Sequence, residues 1–214
     1  MNTQSATHLG LEFNDRLSSP STPDFRGLLG EAAWKRLPAA VQDRFCASAH
    51  VHGVTHYRGS MKVRASFLGR ALAQVCRLIG TPVAPWVGDD VTMQVRVYES
   101  DAGIVWERRY EFANRSPVTV LSTKQLDCEG GLVESLGAGL RMRLCIYEEH
   151  GQLHFVSTGY YFEAAGLRLA LPNWFLPGVT HVIHEDLGAG NFRFSMSTDH
   201  GWLGQLYFQD GVFH

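Results

Sequence analysis

Val91-Thr92-Met93-Gln94-Val95-Arg96-Val97 decides the fold class. Apolar and polar residues alternate one for one, the period of a strand with one face in a core and the other in water. Downstream the same period or a short apolar run returns in Val105–Phe112, Val118–Leu126, Leu132–Leu136, Leu140–Tyr147, Leu153–Phe162 and Leu167–Leu171. It continues through Val179–Leu187, Phe192–Thr198 and Trp202–Phe208. Several runs are joined by turn residues: Glu129-Gly130-Gly131, His150-Gly151 and Gly188-Ala189-Gly190. Successive strands with tight turns predict an antiparallel meander. About eight or nine strands in one domain exceed a comfortable flat sheet, so a curled sheet or barrel is expected.

Upstream of Val91 the period is helical. Asp24 stands at a cap before Phe25, Leu28 and Leu29, and Trp34 and Leu37 extend the apolar face to Pro38. Pro38 suits the first turn of a second helix carrying Val41, Phe45 and Ala49. Met61-Lys62-Val63 reads as a short strand. Ser66 then caps a helix in which Phe67, Leu68, Ala71, Leu72, Val75, Leu78 and Ile79 recur at helical spacing until Gly80 and Pro82. The expected class is therefore α+β, mainly β, with N-terminal helices packed on the sheet. Residues 1–23, rich in Ser, Thr, Asn and Pro, read as a flexible lead-in, and 24–214 as one globular domain.

Composition narrows the function. The 214 residues are 45% hydrophobic and 19% charged, with a formal net charge of −2, so no global basic field draws nucleic acid or anionic lipid. The start lacks the charged, apolar pattern of a secretory signal, and no run of about 18 apolar residues forms a spanning helix. Cys46, Cys76, Cys128 and Cys145 are scattered without a CxxC pair, which fits reduced thiols in the cytoplasm. Neither a GxSxG elbow nor a GxGxxG turn occurs, and no cofactor is expected.

Polar residues in the apolar register point to a site. The even face of Val105–Phe112 carries Trp106, Arg108, Tyr110 and Phe112, which turns Arg108 inward. The even face of Leu132–Leu136 turns Glu134 inward. In Val179–Leu187 the more apolar odd face carries His181 and Glu185. Isolated charges in a dry interior cost several kcal/mol, so these groups need partners or water. An Arg108–Glu134 pair with His181 and Glu185 nearby meets that need, either as an ion pair fixing strand register or as the polar lining of a ligand pocket. Trp174, in the proline-stiffened loop Leu171–Pro177, is placed either to plug the core or to close a barrel mouth. His50, His52 and His56 have the even spacing of a one-sided metal cluster, though Gly53 interrupts them and the bland alternative is a surface loop. His200, at a turn, reads as exposed.

Several segments together resemble the bacterial family catalogued as domain of unknown function 4166. They are Phe25–Gly30 with Leu37-Pro38, Gly59–Val63, Trp106-x-Arg108-x-Tyr110, Glu134–Gly137, Leu169–Pro172 with Leu176-Pro177, Glu185, Asn191–Phe194 and the Gly201–Tyr207 strand. The resemblance implies a domain found alone or fused to reductase-like or epimerase-like Rossmann domains, hence an accessory or substrate-handling role beside such a partner. The leading expectation is a module that binds a lipid-like or acidic small molecule. Arg108 would anchor its head group, Glu134 would hold Arg108, and Trp106, Tyr110 and Trp174 would form an apolar wall. One alternative is an enzyme (isomerase, dehydratase or hydrolase) using His181 with Glu134 or Glu185 as acid and base. Another is a dry interaction module for a reductase-like domain.

Overall fold

A computed structural model describes residues 22–46, 53–77, 80, 83–172 and 176–214. Four short helices are α1 (Phe25–Leu29), α2 (Glu31–Trp34), α3 (Ala39–Phe45) and α4 (Phe67–Cys76). Eleven strands follow the alternation read above: β1 (Thr55–Ala65), β2 (Gly88–Ser100), β3 (Gly103–Glu111), β4 (Val118–Leu126), β5 (Leu132–Gly137) and β6 (Leu140–Glu149). They continue with β7 (Gln152–Ala164), β8 (Leu167–Ala170), β9 (Val179–Gly188), β10 (Asn191–His200) and β11 (Gly204–Phe213).

The sheet order is β6-β5-β4-β3-β2-β1-β11-β10-β9-β7-β8, and β6 also pairs with β7. That extra pairing closes ten strands into an antiparallel barrel and leaves β8 as a flap on β7. The eleven strands correspond to the ten runs from Val91 onward plus Met61–Val63, so the figure of eight or nine is low; β1 is a full strand of 11 residues, not only Met61–Val63. Its polar N-terminal half hides the period. The last strand begins at Gly204, because Trp202 and Leu203 form the turn before it. His200 makes that turn: its Nδ1 accepts the N–H groups of Trp202 and Leu203 at 3.2 and 3.3 Å.

The hairpins are set by turn chemistry. Ala138-Gly139, His150-Gly151, Ala165-Gly166 and Ala189-Gly190 all have both residues at positive φ. Mirror-image turns of this kind match strand twist, and glycine at the second position keeps their cost low.

The two ends of the barrel are closed differently. α1–α3 fill one end with aromatics: Phe25 lies edge-on to Phe45 and Phe155, and Phe45 stacks on Trp106 at 5.9 Å. Arg44 of α3 sits 3.8 Å over the Phe192 ring, and Arg36 pairs with Glu148 at the end of β6. Thr22 and Pro23, read as the tail of the lead-in, belong to this packing: Thr22 hydrogen-bonds Glu99 and Pro23 is buried. At the other end α4 lies across the opening. Ser66 caps it as expected, accepting the Gly69 N–H at 3.1 Å. Gly69 touches β11 so closely that a Cβ would lie 1.8 Å from the Leu206 carbonyl oxygen.

Gly69→Val must therefore lift α4 from the barrel. A loss of about 1–3 kcal/mol is expected from such overpacking, read as a lowered urea midpoint, and an unchanged midpoint would refute the contact.

Candidate functional site

The inward faces of β3, β4 and β5 place three ionisable side chains side by side. Trp106 stands opposite Ser122, Arg108 opposite Val120, and Lys124 opposite Glu134. Arg108 donates to the Ser122 hydroxyl at 3.1 Å and lies 3.6 Å from Glu134 Oε1, while Lys124 Nζ lies 3.2 Å from Glu134 Oε2. The three side chains are 9–12% exposed. Glu134 thus sits between two cations. Burial works to raise its pKa, but Lys124, Arg108 and Ser122 outweigh burial and hold the carboxyl below its ordinary value. Burial lowers the Lys124 pKa, with Arg108 adding to the fall and Glu134 resisting it.

His184 completes the group. It is buried, meets Phe45 edge-on at 4.9 Å and lies 5.8 Å from Trp106. Burial pushes its pKa well below 6.5, and Arg44, Lys124 and Arg108 push the same way, so the ring is neutral. Two polar atoms here have no hydrogen-bond partner among the described residues: the Trp106 indole nitrogen and His184 Nδ1. Each unpaired buried group costs about 1–3 kcal/mol.

Above this charged floor the barrel encloses a cavity of about 670 Å³, within the usual size of small-molecule sites. Leu72, Val83, Leu136, Met142, Val182, Phe194 and Met196 give it apolar walls, and Arg108, Lys124, Glu134 and His184 cluster in its lining. One wall is crossed by a hydrogen-bond chain. Tyr110 donates to Gln209 Oε1 at 3.1 Å, Gln209 donates to the Tyr207 hydroxyl at 3.0 Å, and Tyr207 donates to the Ala84 carbonyl at 2.9 Å. Another wall carries the hydroxyls of Tyr160, Thr180 and Thr198, linked at 3.0 and 3.1 Å.

Arg108, Glu134, Trp106 and Tyr110 are all brought to this cavity. His181 and Glu185 are not. The inward face of β9 is Thr180, Val182 and His184, so the odd residues point outward. The odd face misleads because Val179 and Leu187 are exposed at the strand ends, while the inner wall is polar here. Outside the barrel His181 meets His154 Nδ1 at 2.9 Å and the Tyr147 hydroxyl at 3.4 Å. Glu185 is cross-strand from Arg193. The His181–Glu134 acid–base pairing is therefore not assembled. Trp174, His50 and His52 fall outside the described residues. His56 is exposed on β1, and among the described residues no group of three or more His, Cys, Asp or Glu side chains is arranged to hold a metal.

Lys124, His184 and Gln209 are additions to the expected site. Lys124 was open to the same reasoning, since the even register of β4 also carries the buried Val120 and Ser122.

A comparison with protein families matches residues 37–213 to the domain of unknown function DUF4166. The chain belongs to the DUF4166 family. The match spans every strand of the barrel and every cavity residue named above. No curated protein matches the chain.

Two measurements test the electrostatics. Glu134→Gln leaves two buried cations without a counter-charge and should cost about 3–5 kcal/mol. Adding Lys124→Met should recover part of that loss in urea denaturation. The depressed pKa of His184 makes the unfolded chain bind more protons below 6.5, so stability falls as pH drops from 6.5 toward 5. The limiting slope is about 1.4 kcal/mol per pH unit for one such group. Glu134, also depressed, adds loss only at lower pH, below its ordinary value of 4.5. His184→Gln should flatten the upper part of that dependence, leaving only what His154, lowered by burial and by His181, contributes.

Proposed function

We propose that the barrel binds a small amphipathic molecule, with its apolar body against the cavity walls and an anionic head group at the floor. One observation carries this reading: two cations face a single carboxylate at the bottom of a chamber whose other polar groups are uncharged. An ion pair needed only for strand register is complete with one cation. The second leaves a positive excess that a carboxylate or phosphate head would balance. Arginine suits that partner because its planar fork offers several donors at once, and among the described residues only Ser122 and Glu134 draw on Arg108. The unpaired Trp106 N–H, on the same strand, would donate to the same head. Glu134 keeps Arg108 and Lys124 in place, a positioning role. A fusion to reductase-like or epimerase-like domains, which the resemblance implies, would fit a module that presents such a molecule to a partner.

A fluorescent fatty acid and its methyl ester separate head from tail. The acid should bind the wild-type chain more tightly than the ester. Arg108→Met should weaken the acid by about ten- to hundred-fold, the equivalent of one charged hydrogen bond, and leave the ester nearly unchanged. Equal binding of acid and ester, or no binding of either, would overturn the reading.

A further inference from the structure

Large exposed apolar side chains gather at the α4 end of the barrel. Phe67 (77% exposed) and Leu68 begin α4, Leu167 (77%) lies on β8, Val179 opens β9, and Trp202 (91%) and Leu203 form the β10–β11 turn. The Ser66 N–H donates to the Leu206 carbonyl at 3.0 Å, which sets the start of α4 beside that turn. Single exposed leucines are ordinary on a soluble surface, but a set of aromatic and aliphatic tips around one opening marks an interaction surface.

This rim is continuous with the cavity. Val75 of α4 and Leu169 of β8 are exposed and also line the chamber, so the opening lies between them. Its charge is distinctive too. α4 carries no acidic residue; among the described residues Arg70 is exposed with no ion pair, and Arg77 just beyond the helix has none either, bonding the neutral Gln74 side chain and lying 5.9 Å from the centre of the Trp86 ring. Across the mouth Arg141 and Arg168 share Glu163 at 3.2 and 2.8 Å, two cations on one carboxylate. The other carboxylates at this end are also answered: Asp199 accepts from Gln205, Asp89 lies 3.6 Å from Lys62 and 3.2 Å from Arg64, Asp90 accepts from Ser60, and Glu111 lies 3.4 Å from Arg109.

We infer that this rim docks on the surface of a bilayer containing anionic lipid. Phe67 and Trp202 reach the boundary between head groups and acyl chains, where aromatic side chains are favoured, and Arg70 and Arg77 lie at head-group level. A second copy seated here would seal the mouth, whereas a bilayer faces it with the amphipathic molecules that the chamber suits. The exposed aromatic tips and unpaired arginines carry the docking; the choice of a bilayer over a second copy rests on the proposed binding role.

Co-sedimentation of the full chain with large unilamellar vesicles tests it. Binding is expected to vesicles of phosphatidylcholine with phosphatidylglycerol, and weaker binding to phosphatidylcholine alone. The double variant Phe67→Ser/Trp202→Ser should lose about ten-fold in vesicle affinity, and Arg70→Glu/Arg77→Glu should lose the preference for the anionic vesicles. Neither pair lines the floor, so both variants should bind the fluorescent fatty acid in vesicle-free solution as the wild-type chain does. That measurement separates a failed dock from a failed cavity. The inference is overturned if the wild-type chain stays in the supernatant with both vesicle types. It also falls if the serine variant sediments as before, or if the wild-type chain is a dimer that the serine variant splits, which would make a second copy the occupant.

Discussion

Closure of the barrel depends on β7. Along one edge it pairs with β6 from Leu140–Phe162 to Glu149–Gln152; along the other, its first residues pair with β9 and its last with β8. A strand of 13 residues is long enough to serve three neighbours, and the register shift between Arg143 and Leu144 lets it change direction while doing so. Without this strand the sheet has two free edges and no interior. With it, every inward side chain shares one enclosed space, and a charge placed there meets other side chains instead of water.

The charged floor follows from that enclosure. Glu134 is stable as an anion only because Lys124 and Arg108 approach it from adjacent strands, and the cations are tolerated only because Glu134 and Ser122 answer them. Such a cluster is poor evidence of a contribution to stability, since apolar residues of the same volume would avoid its desolvation cost. Its retention beside an unpartnered indole nitrogen accords better with a site than with a strut.

Much of this was legible from alternation alone. The even face of Val105–Phe112 identified Arg108, and the even face of Leu132–Leu136 identified Glu134, because in both strands most of the apolar residues fall on one side, Val105 and Val133 excepted. β9 defeated the same reasoning. Its outer face carries Val179, Ile183 and Leu187, more apolar than the inner Thr180, Val182 and His184. Hydrophobicity tells inside from outside only when the inside is dry, and beside a cavity with polar lining the rule reverses. The sequence left an open curled sheet and a barrel as alternatives: the His150-Gly151 turn announces the β6–β7 hairpin, but pairing of β1 with β11 and of β7 with β9 joins strands that are not consecutive and is decided by curvature accumulated over the whole sheet. The helices were plain in kind, but not that α1–α3 and α4 take opposite ends.

The stopper formed by Phe25 and Phe45 turns the barrel into a blind-ended sleeve. Anything lodged inside has to back out along the path it took, so a guest with one charged terminus goes in with that terminus leading. For the proposed guest, the distance from the floor to α4 would then act as a ruler: a short chain would be swallowed whole, and a longer one would leave its surplus protruding at the rim.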